Sequence, residues 1–355
     1  MQIYLSLLSK PYSNIKIGLL FYLCLVLTGS TCSAGLYGAE KAESCKAEKD
    51  DFVGRNCGES IPKFIDRVVN PDDDYIRQCK KTIDSVAELM RSKLVPYKVA
   101  ATVKGGSLGK GTAVKQMADA DLLFPLGDIS SVKDLKDKLP EILKVLQSSL
   151  DRSGHQITAI QKTPFTIQFK INVEGTFQEV DLLPIIDLKI KTPTKTNLKP
   201  IYEEMRKNEF LRDNYMKCLA FLQVNFVSQV PEKVKRAIRL LKHWIKTKKH
   251  AMKSYGAELL IIKVYEELGS SRAIKEKELI ESAFEKLSNL KTLKVSWNIY
   301  YDVKSFPIPS PPYILDPAFP FHNLIRQKTG GIDEQYVHLE RDAKKILKTL
   351  KSQDY

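Results

Sequence analysis

The stretch that most restricts the fold is FTIQFKINV-EG-TFQEVDLLPIIDL, residues 165–188. Phe165, Ile167, Phe169, Ile171 and Val173 alternate, so an extended chain points all five one way. Glu174–Gly175 is a turn signal, and the run after it returns as a partner strand. A period of two does not suit a helix, so this half of the chain is a sheet with helices packed on it. The flanking segments predict those helices. SIPKFIDRVV offers Ser60 as a cap and Pro62 in the first turn. Ile76, Cys79, Ile83, Ala87 and Met90 then recur at helical spacing. Residues 135–150 read as an amphipathic helix, kinked or restarted at Pro140. DADLLF, residues 119–124, reads as a short strand.

Beyond KTPTKTNLKP the strand signals fade. Residues 209–228 read as helix. Pro231 opens another, with Val234, Ile238, Leu241 and Ile245 as its buried stripe. Residues 255–268 form an apolar helix that stops at Gly269. The Pro-rich FPIPSPPYILDPAFPF reads as an irregular but anchored loop, and a basic helix over 334–350 closes the chain. The expected class is α+β: a sheet lobe with packed helices, then a helical C-terminal lobe, with the active site in the cleft between them. The expected boundaries are a leader over 1–34, a polar linker over 35–59, the sheet lobe over 60–195 and the helical lobe over 196–350.

The 355 residues carry a formal net charge of +14, which favours a polyanionic partner such as nucleic acid or nucleotide phosphates. Lys10 and Lys16 precede the apolar run IGLLFYLCLVL, and small residues follow. This is the layout of a secretory signal peptide cut after Ala34, and the run is short for a membrane span. On that reading the protein is secreted or enters the endoplasmic reticulum, and no stable membrane partner remains after cleavage. Cys45 and Cys57 could pair in an oxidising compartment; otherwise Cys45, Cys57, Cys79 and Cys218 are free thiols. No Cys-x-x-Cys pair or Cys/His cluster has zinc spacing.

The chemistry concentrates in KGGSLGKGTAVKQMADADLLFPL, residues 104–126. Its first half resembles a Walker loop but fails as one. Gly111 follows Lys110 where a magnesium-binding hydroxyl belongs, and the loop leads towards a strand rather than opening a helix after one. The second half carries Asp119 and Asp121, two apart in a strand and therefore on one face. Adjacent carboxylates repel unless a cation lies between them, and magnesium suits oxygen ligands and substrate phosphates. Asp181 offers a third carboxylate on the returning strand, with Glu179 on the same face as a fallback. Gly105 and Gly106 let the backbone approach a phosphate. Ser107 can donate to it and Lys110 can neutralise it.

Gly-Gly-Ser, then Asp-Ala-Asp, then a distant strand aspartate resembles the DNA polymerase beta-like nucleotidyltransferases. VKGGSLGKGT, DADLL, EVDLLPIIDL, IRLLKHW, SYGAELL, WNIYYD and ILDPAFPFHN resemble the 2'-5'-oligoadenylate synthetases in particular, collinearly from about Ile61 to about Asn323. The resemblance implies that Asp119, Asp121 and Asp181 are catalytic and bind two Mg²⁺ ions, with Mn²⁺ as an alternative. It implies nucleotide contacts from Gly106, Ser107, Lys110, Arg239, Lys242, Ser254 and Tyr255. Arg239 and Lys242 lie three apart on one helix face, away from the buried stripe. The implied reaction joins ATP into 2'-5'-linked oligoadenylates with loss of pyrophosphate, in the cytoplasm and in antiviral innate immunity.

Three departures stand beside the resemblance. Ser254 replaces a glutamine of the family, which leaves base selectivity and product length open. Vertebrate members bind double-stranded RNA through basic residues whose matches here are Val224, Ser228 and Glu232. Lys104 and Lys233 are the RNA contacts that remain, so the activator is double-stranded RNA, another polyanion, or none. The chain lacks the C-terminal tripeptide that some members use to oligomerise, so a monomer is expected.

Overall fold

The computed structural model describes residues 51–352 except 93, 94, 100, 119, 174, 326, 329, 330 and 333. The leader, Cys45 and Asp119 lie outside the described residues. Among those described, no helix is long and apolar enough to cross a membrane. Cys57 is disulfide-bonded, and Cys79 and Cys218 are buried thiols.

The elements that position the site come from the first half. In chain order they are α1 (Ile61–Phe64) with a π turn over Ile65–Val69, α2 (Asp73–Arg91), β1 (Val103–Lys104), α3 (Gly106–Lys110), β2 (Ala120–Pro125), α4 (Val132–Asp151), β3 (Gln156–Lys162), β4 (Ile167–Val173) and β5 (Thr176–Ile185). The sheet order is β1-β2-β5-β4-β3. Strands β2 and β5 are parallel, and the other pairs are antiparallel. After β2 the chain passes through α4 to the far edge of the sheet at β3, and the β3–β4–β5 meander returns to set β5 beside β2.

One face of this sheet is apolar. Ala120, Leu122 and Phe124 of β2, Ile167, Phe169 and Ile171 of β4, and Val180 and Leu182 of β5 are buried there. They share a core with Ile83, Val86 and Met90 of α2 and with Leu139, Ile142, Leu143 and Leu146 of α4. Each of these side chains larger than alanine contributes roughly 1.5–3 kcal/mol by leaving water. The alternation expected of residues 165–173 is present, although Phe165 and Val173 at its ends are only partly buried. Helix α4 neither stops nor restarts at Pro140, which lies inside its 20 residues.

The second half contains α5 (Lys195–Lys207), α6 (Arg212–Cys218), α7 (Ala220–Ser228), α8 (Glu232–Thr247), α9 (Ser254–Glu267), α10 (Glu276–Ser288) and α11 (Glu334–Ser352). The helix expected over 209–228 is divided into a 3-10 turn, α6 and α7. The Pro-rich loop is more regular than its composition predicts. Within it, β7 (Tyr313–Asp316) and β8 (Phe319–Asn323) pair with each other, and β7 also pairs with β6 (Lys294–Val295). Tyr202 of α5, Tyr301 and Phe319 anchor that segment in a buried cluster. Tyr202 and Tyr301 each donate a hydrogen bond to a backbone carbonyl, of Ala318 at 3.0 Å and of Asp316 at 2.8 Å.

Phe52, Phe64, Ile65 and Val69 join the core of α8 to α11 rather than the sheet core. In that core His243 is buried against the Phe64 ring, centroids 5.5 Å apart, and its Nδ1 has no hydrogen-bond partner. Burial pushes the imidazole down to about 4. The unfolded chain takes up this proton near pH 6.5. The contribution is therefore intact above pH 6.5 and is lost as pH falls from there towards 4, by up to about 3 kcal/mol. The His243→Phe variant should lose that part of the pH slope in urea unfolding. An unchanged slope would show that the imidazole is not the group responsible.

Candidate active site

The Gly-Gly-Ser loop lies directly on β2. Val103 and Lys104 pair with Leu123 and Leu122, and the Gly105 N–H donates to the Asp121 carbonyl at 2.7 Å. This contact leaves no room for side chains. A Cβ on Gly105 would lie 2.7 Å from Leu123 Cδ1 and 3.1 Å from Asp121 Cβ, and one on Gly109 would lie 2.2 Å from the Lys104 carbonyl oxygen. Gly106 has φ +59, in the left-handed region that glycine tolerates. The chain then enters α3, whose first turn carries the buried Ser107. The glycines thus hold the serine's turn against the strand that bears the aspartate.

Asp121 is the register partner of Asp181 across the parallel β2–β5 pair. Partners on neighbouring strands project from the same face, with backbones about 4.8 Å apart. Two carboxylates drawn from distant parts of the chain therefore meet on the face opposite the sheet core. Gln168 of β4 is in register with Asp181 and its Nε2 donates to Asp181 Oδ2 at 2.9 Å, which orients that carboxylate. The fallback ligand Glu179 is instead paired with Lys170 at 2.9 Å. Among the described residues no three His, Cys, Asp or Glu side chains form a metal-holding group; Asp119 is not among them. The donor set fits a hard divalent cation: two adjacent carboxylates, oxygen ligands, and a neighbour that fixes one of them.

Lys217, on α6, was not singled out by any motif. Its Nζ lies 5.7 Å from the Phe165 ring centre. Burial lowers its pKa, while the Asp213, Asp121 and Asp181 carboxylates oppose that shift. A cation therefore sits within electrostatic reach of the acidic pair. No periodicity could reveal it, because α6 is a short helix whose direction is set by packing on β5.

The basic residues expected to meet phosphates have partners within the chain. Arg239 and Lys242 do not lie on a solvated face: they are 8% and 2% exposed. Lys242 Nζ donates to Glu258 Oε1 at 3.0 Å and to the Thr112 carbonyl at 2.9 Å. Lys110 Nζ donates to Glu258 Oε2 at 2.9 Å and lies 4.1 Å from the Tyr255 ring centre. Thr112 Oγ1 donates to Glu258 Oε1 at 2.6 Å. Arg239 donates to Glu232 Oε1 at 2.6 Å and to the Gly111 carbonyl at 2.8 Å. The physical reason is Glu258, a fully buried acid on α9. It draws Lys110 and Lys242 inward from either half of the chain.

Ser254 opens α9, and the Tyr255 hydroxyl donates to Asp316 Oδ1 at 3.2 Å. Burial and the Asp316 charge hold the Tyr255 phenol well above its ordinary range. The two remaining RNA contacts also have intramolecular partners. Lys104 pairs with Asp84 at 2.7 Å. Lys233 does not reach outward: its ammonium donates to the carbonyls of Ser271, Arg272 and Ile274 at 2.7–2.9 Å.

Residues 195–354 match the family described as 2'-5'-oligoadenylate synthetase 1, domain 2, C-terminus. The match begins at the first residue of α5. The 2'-5'-oligoadenylate synthase 1A of Mus musculus is 27% identical over 320 residues, covering 80% of this chain and 86% of the mouse protein. Over four-fifths of its length the chain is therefore similar to the 2'-5'-oligoadenylate synthetases. The synthase 1A of Rattus norvegicus is 26% identical over 318 residues, covering 80% of this chain and 88% of the rat protein. A solved cytoplasmic RNA terminal U-transferase shares the fold at TM-score 0.54 and 14% identity, covering 83% of this chain and 93% of its own. This oligoadenylate-synthetase-like protein is thus a nucleotidyltransferase enzyme, with the nucleotidyltransferase α+β fold.

Proposed function

We propose that the enzyme polymerises ATP into 2'-5'-linked oligoadenylates, and that Asp119, Asp121 and Asp181 hold two Mg²⁺ ions for the reaction. The observation that carries this reading is the register pairing of Asp121 with Asp181 beside the Gly105–Ser107 loop. In the reaction the 2'-hydroxyl oxygen of an acceptor adenylate bonds to the α-phosphorus of ATP. The bond from that phosphorus to the bridging oxygen breaks, and pyrophosphate leaves. Bound divalent ions would lower the hydroxyl's pKa and offset charge on the leaving oxygens. Asp181, oriented by Gln168, is placed to accept the hydroxyl proton. Gly106 and Ser107 line the approach of the triphosphate, and Ser254 and Tyr255 open the helix that faces it. The protein supplies position and charge rather than covalent chemistry.

Activation does not require the family's duplex-RNA contacts. Val224 packs towards Gly109, 3.6 Å from where its Cβ would lie, and Glu232 is paired with Arg239, so neither offers a cation to RNA phosphates. Incubating the purified full chain with ATP and Mg²⁺, with and without duplex RNA, tests the reading. Pyrophosphate release without RNA, and products cut by 2'-5'-specific but not 3'-5'-specific nucleases, are expected. A cyclic or 3'-5'-linked product would replace the proposed specificity. RNA binding with no turnover would remove the catalytic reading.

A further inference from the structure

Gln178 of β5 is a polar side chain on the apolar face of the sheet. It shares strand parity with Val180 and Leu182, and it is 4% exposed. A buried amide must find partners or cost stability, and this one finds two. Its Nε2 donates to the Ala118 carbonyl at 3.2 Å, and the amide is also hydrogen-bonded to the buried Cys79 thiol of α2. Tyr75, one turn before Cys79, closes a ring. Its side chain is hydrogen-bonded to the same thiol, and its hydroxyl accepts from the Ala118 N–H at 3.2 Å. Both polar atoms of the Ala118 backbone are therefore held by side chains, one from α2 and one from β5. The preceding peptide is held as well, because Lys246 Nζ of α8 donates to the Met117 carbonyl at 2.9 Å. The register of β2 with β5 starts at Ala120 opposite Val180, and two residues back it sets Ala118 opposite Gln178.

We propose that Tyr75, Cys79 and Gln178 are positioning residues for the metal site, acting on Asp119 through the backbone from the core side of the sheet. The inference rests on the reading of Asp119, Asp121 and Asp181 as metal ligands. The Ala118 carbonyl belongs to the planar peptide that carries the Asp119 nitrogen. The Gln178 amide therefore sets the plane from which Asp119 departs. Asp121 is held by its strand register and by the Gly105 N–H, and Asp181 by Gln168. The ring gives the first aspartate a support of its own. An apolar residue at 178 would fill a core-face position with no need of partners; the amide stands where the backbone needs an orienting donor. Partners behind metal ligands change affinity by roughly tenfold to a hundredfold. Mg²⁺ demands a nearly ideal octahedron, whereas Ca²⁺ accepts a flexible shell, so loosening the ring costs Mg²⁺ more.

The test is Mn²⁺ titration of the full chain without nucleotide, read from the free-ion electron paramagnetic resonance signal. Gln178→Leu keeps the bulk and removes the donor, and should weaken Mn²⁺ binding about tenfold. Tyr75→Phe should weaken it several-fold. In competition against bound Mn²⁺, both variants should lose more affinity for Mg²⁺ than for Ca²⁺. Thr82→Ala removes another buried hydroxyl of α2, one bonded to the Gln78 carbonyl at 3.1 Å. It should lower the thermal midpoint and leave Mn²⁺ affinity unchanged. Asp121→Asn should remove most of the binding. Parent affinity in Gln178→Leu and Tyr75→Phe, with Asp121→Asn impaired, overturns the ring and leaves the metal site standing. Equal weakening in Thr82→Ala and Gln178→Leu also overturns it, since general loosening of α2 would then suffice. Parent affinity in Asp121→Asn overturns the metal site, and this inference with it.

Discussion

Asp121→Asn lowers pyrophosphate release from ATP by roughly a thousandfold or more, with little change in thermal midpoint. The size follows from the proposed role of Asp121 as a metal ligand: losses of two to three orders of magnitude attend the removal of even one preorganised neutral donor, and a metal ligand would carry a full charge. The fold is spared because the side chain points away from the sheet core, and asparagine keeps its volume. The backbone carbonyl that accepts from Gly105 is untouched. Asp137→Asn, on the exposed face of α4 and paired with Lys133, serves as the control and should retain the full rate. Should Asp121→Asn retain more than about a tenth of the parent rate, the reacting phosphate is held elsewhere.

Glu258→Ala destabilises the protein by about 3–5 kcal/mol, the cost of leaving buried charge uncompensated. Lys110 and Lys242 would both lose their carboxylate, in a site where Lys242 and Glu258 are 2% exposed. At roughly 2–4 °C per kcal/mol the thermal midpoint falls by about 10 °C. Replacing Lys242 by Met in the same background should recover part of the loss, because an apolar pair needs no counter-charge. No recovery would mean that the network is held by Lys110 alone. The same acid sets a pH dependence. Burial raises its pKa, but the Lys110 and Lys242 ammoniums and the Thr112 hydroxyl prevail and bring it from 4.5 down to about 2. Its stabilisation is therefore complete above about pH 4.5 and is lost as pH falls towards 2. Glu258→Gln should flatten the acid limb of the stability curve over that interval, while the His243 limb above pH 4 stays in place.

These two sites differ in how much the sequence discloses. The alternation over 165–173 and the strand that follows it are local patterns, legible because a strand's period of two holds wherever the strand lies. The spacing of α2 and of the α8 stripe is legible for the same reason. Pro140 left a kink and a restart open because a proline that breaks a helix and one that is accommodated within it look alike in one dimension; the helix runs on through it. The Pro-rich segment misled because β7 and β8 draw their order from packing against Tyr301 and against Tyr202, which is far away in sequence.

Arg239 and Lys242 are the instructive case. Helical spacing sets them off the stripe of Val234, Ile238, Leu241 and Ile245, yet both are buried with it, because a side chain off one stripe is solvated only if nothing packs over it. Glu258, Thr112 and Gly111 arrive there from other parts of the chain. What the sequence determined by itself is the chemistry available: glycines that admit a close backbone, a serine, and carboxylates on strand faces. Which carboxylates meet, and which cations turn inward, was decided by the β2–β5 register and by the contact of α8 and α9 with α3. Those are long-range pairings, and their free energy depends on groups that no short window of sequence contains.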